Sequence, residues 1–171
     1  MTKAPLSFDS HSAAMRFALE KASEAGQAGE IPICALITEP QSEQYSQGGL
    51  PKERLIAWAT NKIESAQQST FHAELLAIQA ASKLMKQRYL SQCNLYVTLE
   101  PCAMCAAAIA HARLARLYYA AYDVKSGGVD QGARVFDHPQ CHHKPEVISG
   151  FHEQEAQRLL QDFFRTLRNK S

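Results

Sequence analysis

The sequence predicts a three-layer α/β/α domain built around a mixed β-sheet. Strand-like and helix-like patterns alternate along the chain, which is typical of helices packed on both faces of a sheet. A chain of 171 residues suits one domain with a sizeable core, and no repeat, low-complexity tract or interdomain linker divides it. Hydrophobic residues make up 46% of the chain and charged residues 20%, as in an ordinary globular protein. We therefore expect a single domain over residues 1–171.

The first half of the chain is predicted to contribute one helix and two strands. Residues 9–25 predict a helix, because alanine recurs on one face at helical spacing and Gly26 follows. Residues 31–38 are almost wholly apolar and predict a strand buried on both faces. The polar segment 39–53 contains proline and a Gly-Gly pair, so we expect a long loop there before a second strand at 54–60.

The second half contains two helix starts, one after a turn and one after a strand. Apolar side chains that include Ala73 and Leu84 share one helical face. Asn94–Leu99 alternates as a strand does, and Pro101 suits the start of the alanine-rich helix that follows. The remaining predicted elements are strands at 116–121 and 146–149 and a basic last helix at 152–169.

These two helix starts offer the side chains of a metal site. His72 and Glu74 stand at the first start, and Cys102 and Cys105 stand at the second. The two cysteines are three residues apart, so on a helix they share one face and can bind one ion. Helix N-termini aimed at an ion also present unpaired N–H groups, which lower thiolate pKa values and favour metal binding. The spacing predicts that His72 and both cysteines hold a single ion.

The residue types indicate a catalytic zinc centre. Zn²⁺ held by one His and two Cys keeps a fourth position open for water, whereas a structural site would need a fourth Cys or His. The nearest further thiol, Cys93, lies before the strand and out of register with the pair. Glu74 can be an exposed charge favoured by the helix dipole, but beside a zinc ligand we expect it to be the general acid and base.

The same residues resemble a known signature. His72-Ala73-Glu74 followed by Pro101-Cys102-Ala103-Met104-Cys105 looks like the motif of the zinc-dependent nucleoside and nucleobase deaminases. The closer resemblance is to the bacterial tRNA-specific adenosine deaminases, and it covers about residues 31–168. It rests further on the segments at 95–102, 123–128 and 162–165.

The resemblance implies a cytidine deaminase-like fold with a five-stranded mixed sheet, and it implies a particular reaction. Such enzymes hydrolytically deaminate the wobble adenosine of a tRNA anticodon to inosine, with one Zn²⁺ per subunit. Glu74 would take a proton from water and pass protons to the ring nitrogen and the leaving ammonia. The resemblance also implies a homodimer that binds the anticodon stem-loop of tRNA, with no DNA partner.

The charge of the chain bears on whether it binds nucleic acid, and its cysteine content bears on the cellular compartment in which it works. The net charge of +1 is a weak footprint for a nucleic-acid binder, so basic residues must be gathered locally. Arg158, Arg165, Arg168 and Lys170 lie together near the C-terminus, although such a helix face can also be simply solvated. Five cysteines, an odd number, argue against a disulfide framework and for the reducing cytoplasm. No stretch approaches membrane-spanning length.

Several residues outside the metal site are expected to contact the substrate. Asn61 ends a strand, where asparagine is common because it tolerates turns, but the resemblance implies that its amide hydrogen-bonds the base. Asp123 and Lys125 can form a solvated turn, whereas the resemblance puts them beside the nucleotide backbone. The full predicted substrate-binding set is Asn61, Ala73, Pro101, Asp123, Lys125, His143, Phe164, Arg165 and Arg168.

A second cluster contains His138, Cys141, His142 and His143. Its crowding in a proline-containing loop does not give tetrahedral ligand spacing, so we expect no second metal there. His143 is instead expected to line the RNA cleft.

Two other functions stay open at this point. The metal motif alone does not separate tRNA adenosine deaminases from guanine or cytosine deaminases. The Asp123 loop and the basic last helix favour tRNA, because an enzyme for a free base needs neither. The third hypothesis is a zinc-stabilised RNA-binding protein without catalysis. A structural zinc site, however, does not require the carboxylate of Glu74 beside it.

Overall fold

Among the residues that the structure describes, the chain forms a six-stranded mixed sheet with helices on both faces. The computed structural model describes residues 6–45 and 51–169. The strands are β1 (Ser7–Phe8), β2 (Cys34–Tyr45), β3 (Pro51–Thr60), β4 (Asn94–Leu99), β5 (Arg116–Ala121) and β6 (Glu146–Ser149). The helices are α1 (His11–Gln27), α2 (Ile63–Ala66), α3 (Ala73–Met85), α4 (Ala103–Ala112) and α5 (Glu153–Arg168), with a 3₁₀ turn at Val135–Asp137.

The sheet combines an antiparallel half and a parallel half. The strand order is β1-β3-β2-β4-β5-β6, in which β2 pairs antiparallel with both β3 and β4. β4, β5 and β6 run parallel, so the chain must cross over the sheet between them. The crossover helix α4 therefore starts at the carboxyl end of β4, which is the edge where open α/β sheets bind ligands.

Two apolar layers cover the sheet, one on each face. Ala77 of α3 and Ile109 of α4 pack with Val97 in one layer, and Met15 of α1 packs with Tyr96 in the other. Val97 and Tyr96 are neighbours on β4, and their side chains alternate between the two faces as the strand pleat requires. The predicted three-layer α/β/α architecture is confirmed. None of the described helices is long and apolar enough to cross a membrane.

The sheet has one strand more than the five expected. The additional strand, β1, is only two residues long, and Ser7 and Phe8 pair with Arg54 and Glu53 of β3. A two-residue strand is too short to show an alternating pattern, so no periodic signal marks it in the sequence. The other strands and the helices α1 and α5 follow the predicted order along the chain.

The loop predicted at 39–53 is largely strand. β2 and β3 extend into it from both sides, and Glu39 pairs with Arg54 in register and through an ion pair. Past its last pair with β4, β2 has only β3 beside it among the described residues, and such an edge tolerates Pro40. Residues 46–50 of the predicted loop lie outside the described residues.

The buried face of α3 differs from the predicted one. Ala73 and Ala77 are fully buried as expected, but Leu84 is 67% exposed in the last turn. The buried face runs through Glu74 and Ala81 instead. Small alanine side chains let this helix lie close to the sheet, and that packing carries the charged Glu74 into the interior.

Candidate active site

The starts of α3 and α4 bring together three side chains that can bind a metal. His72 and Cys102 are the N-cap residues of the two helices, and Cys105 lies in the first turn of α4. His72 Nδ1 is 3.7 Å from Cys102 Sγ and 3.5 Å from Cys105 Sγ. Across residues 6–45 and 51–169, this is the one group of three or more His, Cys, Asp or Glu residues whose ligand atoms lie within 4.8 Å of one another.

These separations fit one tetrahedral zinc ion. Zn–S bonds of about 2.3 Å and Zn–N bonds of about 2.05 Å at the tetrahedral angle put nitrogen and sulfur about 3.6 Å apart. The two observed N···S distances, 3.5 and 3.7 Å, bracket that value. One imidazole with two thiols is also a donor set that suits zinc and not magnesium or calcium. The three residues can therefore hold a zinc ion and leave its fourth position to water.

The three ligand side chains polarise one another. A hydrogen bond with the Cys105 thiol lowers the pKa of Cys102 to about 4, and the neighbouring His72 acts in the same direction. The same contact raises the pKa of Cys105, and contact with Cys102 raises the pKa of His72. These contacts favour the thiolate at Cys102, and the thiolate is the form in which a cysteine binds a metal.

Glu74 brings a buried carboxyl group to the same place. It lies in the first turn of α3, two residues after His72, and only 4% of its surface is exposed. Burial raises the pKa of Glu74 to about 7, although a backbone hydrogen bond and the nearby His72 oppose the rise. A carboxyl group that titrates near neutrality can both take up and release a proton at working pH.

Asn61 joins the end of β3 to the start of α3. It is 2% exposed, and its Oδ1 accepts a hydrogen bond of 2.9 Å from the Ala73 N–H. This bond satisfies one of the free N–H groups at the start of α3. The side chain of the N-cap residue His72 makes no capping hydrogen bond there. The Nδ2 group of Asn61 makes no hydrogen bond to another described residue, so the donor end of the amide is available to a ligand.

A groove with a volume of about 750 Å³ is lined in part by residues 123–126, which directly precede Gly127, the bridge partner of Cys102. None of His72, Cys102 and Cys105, which we call the metal group, lines the groove itself. The groove lies between the carboxyl edge of the sheet and α5, and Leu99, three residues before Cys102, forms part of its wall. Four predicted substrate-binding residues line this α5 groove: Asp123, Lys125, Phe164 and Arg168. Other lining residues are mostly apolar, for example Ile31, Ile33 and Leu160.

The residues of the α5 groove differ in what they can offer a ligand. Asp123 Oδ1 accepts hydrogen bonds of 3.0 Å from the N–H groups of Lys125 and Ser126, so its carboxylate closes a turn. Lys125 and Arg168 are exposed, and Phe164 is 43% exposed. The α5 groove therefore presents two cations and one aromatic ring to a ligand.

The other five predicted substrate residues do not line this groove. Asn61, Ala73 and Pro101 stand at or beside the two helix starts, whereas Arg165 and His143 lie elsewhere. Arg165 pairs with Asp162 at 2.7 Å on the exposed side of α5. His143 lies in a separate cavity of about 330 Å³ near the C-terminal end of α4, where its Nε2 is 2.7 Å from the Leu114 carbonyl oxygen. The structure thus places Asn61 at the start of α3 beside His72, and it links the groove to Cys102 through the loop that contains Gly127. His143 lies in the other cavity.

Two buried glutamates that the sequence analysis did not single out organise loops around the site. Glu100 is 2% exposed, and its carboxylate accepts hydrogen bonds from four backbone N–H groups of the loop after β5. Glu30 is 4% exposed and accepts from the N–H groups of Glu64 and Ser65 at the start of α2. A single acidic residue within an apolar stretch is the signal that could have indicated both, because such residues are rarely buried without partners.

A His, Cys, Cys group with a buried carboxyl group at two helix starts of an α/β/α sandwich is the arrangement of a hydrolytic deaminase. The family model of MafB19-like deaminases matches residues 9–168. The tRNA-specific adenosine deaminase of Agrobacterium fabrum is 42% identical over 154 residues, which cover 90% of this chain and 93% of that protein. The Rickettsia bellii enzyme of the same name is 38% identical over 155 residues, covering 91% and 100%.

Solved structures agree with these matches. One from a study of A-to-I editing by tRNA:A34 deaminases at the wobble position has a TM-score of 0.75 and 42% identity, covering 85% of this chain and 97% of that one. A guanine deaminase from Nitrosomonas europaea reaches the same TM-score at 24% identity, covering 94% and 88%, and so shares the fold alone. The chain is a hydrolytic deaminase. It belongs to the family of tRNA-specific adenosine deaminases.

Proposed function

We propose that the protein converts the wobble adenosine of a tRNA anticodon to inosine. The observation that carries this proposal is the buried carboxyl group of Glu74 beside the His72, Cys102 and Cys105 group. That chemistry fits several bases, and the 42% identity to the structure from work on tRNA:A34 deaminases favours an adenosine carried by RNA. In the balanced reaction, adenosine and water give inosine and ammonia.

The three metal-binding side chains are proposed to hold one Zn²⁺ per chain. Zinc bound there supplies a water whose pKa is lowered towards neutrality. Glu74 would take a proton from the water, so that the water oxygen can bond to C6 of the adenine. Glu74 would deliver that proton to the ring nitrogen N1. It would then take the second water proton from the new C6 hydroxyl and deliver it to the exocyclic nitrogen, which leaves as ammonia. Burial raises the pKa of Glu74, which favours its use as a proton carrier near neutral pH.

The residues around the metal group are proposed to bind the RNA. Asn61 Nδ2 would donate to an acceptor on the edge of the purine, since its Oδ1 is already bonded to Ala73. Lys125 and Arg168 would neutralise phosphates along the α5 groove, and Phe164 would stack on a neighbouring base of the single-stranded loop. Asp123 would act through the turn that it closes.

We also infer that the protein acts as a homodimer in the cytoplasm, where tRNA is modified in bacteria. Support comes from α4, whose outer face is available to a second subunit. Met104, between the two cysteines, is 36% exposed, and the cavity with His143 and Arg113 lies at the other end of the helix. Light scattering should give twice the chain mass of 19.0 kDa, and a single-chain mass at micromolar concentration would refute the dimer.

The substrate is tested by following ammonia release from an anticodon stem-loop with adenosine at the wobble position. Free guanine, cytosine, cytidine and adenosine are assayed in parallel, and inosine in the RNA is located by sequencing. We expect turnover on the stem-loop and none on the free compounds, because only RNA can use the cations of the α5 groove.

The outcomes distinguish a tRNA adenosine deaminase, a deaminase of a free base and a non-catalytic RNA-binding protein. Turnover on a free base would overturn the tRNA assignment and keep the metal chemistry. Absence of turnover on every compound, with the stem-loop still bound, would favour a non-catalytic RNA-binding protein.

A further inference from the structure

The loop after β5, residues 122–131, is fastened to the metal-binding segment by the side chain of Glu100. Glu100 follows the last residue of β4 and stands two residues before Cys102. Its two carboxylate oxygens accept four hydrogen bonds from backbone N–H groups of this post-β5 loop. The donors are Asp123 (3.0 Å), Val129 (3.2 Å), Asp130 (2.9 Å) and Gln131 (2.9 Å).

Two glycines allow the post-β5 loop to approach so closely. A Cβ atom on Gly127 would lie 2.6 Å from the Glu100 carboxylate, and one on Gly128 would lie 2.5 Å from the Ala103 nitrogen. In the space that these glycines leave, the Gly128 N–H donates to the Pro101 carbonyl at 2.8 Å. Gly127 also forms an isolated bridge with Cys102. The backbone around one metal ligand and the post-β5 loop are therefore in direct contact over several residues.

The same loop forms one wall of the α5 groove. Its residues 123–126 face Phe164 and Arg168 across that groove. Of the loop residues, Asp123 is both a donor to the Glu100 carboxylate and the residue that closes the turn carrying Lys125. A displacement of the loop from Glu100 would therefore move Lys125 relative to the metal group.

We propose that Glu100 is a positioning residue that fixes the RNA-binding wall of the α5 groove relative to the metal ligand Cys102. The proposal rests on the proposed function, because it takes the groove to hold the RNA next to the target base. A 1 Å error in such an alignment can cost a large factor in rate or binding, up to about 10². Glu100 is not one of the three metal-binding candidates, and its carboxylate is occupied by backbone N–H groups.

Only a carboxylate can satisfy this set of donors. A carboxylate has two acceptor oxygens and no hydrogen, whereas the glutamine amide has one acceptor oxygen and two N–H donors. In Glu100→Gln the NH₂ group would face at least one backbone N–H, and a buried donor left unpaired is costly. We therefore expect the substituted loop to separate from the metal-binding segment.

The experiment compares Glu100→Gln with a matched variant, Glu53→Gln. Glu53 is also 2% exposed, and its carboxylate accepts from Thr38 at 2.6 Å and Asn94 at 2.9 Å. Asn94 begins β4 and Glu100 follows its end, so the two carboxylates lie roughly 20 Å apart along the strand. Glu53→Gln thus disturbs a buried carboxylate without touching the post-β5 loop.

Amide hydrogen exchange, bound zinc and stem-loop kinetics are measured on both zinc-loaded variants. For Glu100→Gln we expect exchange at Val129, Asp130 and Gln131 to accelerate at least about tenfold. We expect KM for the stem-loop to rise about tenfold or more with kcat changed less than about threefold, and zinc to stay bound. Glu53→Gln should show neither the faster amide exchange in the post-β5 loop nor the rise in KM.

The proposal fails if loop exchange is unchanged in Glu100→Gln, or if both variants raise KM equally. Should Glu100→Gln not fold, Gly128→Ala displaces the same loop with Glu100 intact, and it must reproduce the exchange and KM changes. If Gly128→Ala folds and leaves KM unchanged, the positioning role is refuted. Wild-type protein that does not turn over the stem-loop would refute the proposed function, whereas loop exchange reports on the contact with Glu100 independently of turnover.

Discussion

At the scale of single residues, Glu74 is where packing and chemistry meet. The alanine-rich face of α3 packs closely on the sheet, and this buries Glu74 between Ala73 and Ala77 of the core. Burial disfavours the charged carboxylate and raises its pKa to about 7, which is the range that general acid and base catalysis needs.

Substitution of Glu74 by alanine separates proton transfer from metal binding. We expect kcat on the stem-loop to fall by about 10² to 10⁴, the usual contribution of a general acid or base. Zinc should remain stoichiometric, because His72, Cys102 and Cys105 are untouched. Single-turnover rates and metal analysis of the purified variant provide the check. A near-normal rate would show that another group carries the proton.

At the scale of elements, α1 contains a histidine whose protonation opposes folding. His11 stacks on Tyr118 with ring centroids 4.6 Å apart, and its Nδ1 is 2.7 Å from the Tyr96 hydroxyl. Burial lowers the pKa of His11, an effect that Glu53 opposes and Arg116 reinforces. The unfolded chain, in which this histidine has its usual pKa near 6.5, therefore binds the proton more readily than the folded chain does.

Stability should fall as the pH drops through the usual histidine range. The neutral His11 contributes stability above about pH 6.5, and this contribution is lost below it because protonation favours the unfolded state. Urea denaturation of the wild type and of His11→Asn between pH 8 and pH 5, about 1.5 units either side of that value, tests this. The decline in unfolding free energy should be shallower for the variant, and parallel curves would contradict the assignment to His11.

The last helix, α5, offers a test of RNA binding with its own internal control. Arg168 lines the α5 groove, whereas Arg158 is exposed on the same helix but does not line the groove. Arg168→Ala should weaken stem-loop binding and reduce the slope of log affinity against log salt by about 1, since one phosphate contact is lost. Arg158→Ala should leave the slope unchanged. Equal effects of both variants would mean that only the overall charge of the helix matters.

The elements also show which features could be predicted from sequence. β4 and α4 lie where expected, because strand alternation and an alanine-rich run after proline are strong local signals. The grouping of His72, Cys102 and Cys105 was predictable for a similar reason, since these residue types at two helix starts restrict the chemistry that they can share. Glu100 and the continuation of β2 were not predicted, because both depend on backbone hydrogen bonds that distant segments provide.

At the scale of the whole molecule, the metal group joins the starts of two helices in the same core layer. A ligand that binds only the folded state adds to stability, by about 4 kcal/mol when its concentration is 1,000 times its Kd. Chelation should therefore lower the Tm of the zinc-loaded protein by on the order of 10 °C. Cys102→Ala should have a lowered Tm that no longer responds to the chelator. A wild-type Tm that ignores metal removal would contradict the assigned ligands.

The positions of these three side chains in the sequence also link metal uptake to the folding of the chain. His72 and Cys102 are 30 residues apart, and the central strand β4 lies between them in sequence. While the chain is being synthesised, no segment that ends before Cys105 can offer all three ligands. Since the ligands meet only when both helices have docked on that strand, the moment of zinc capture would mark the completion of this half of the core during biosynthesis.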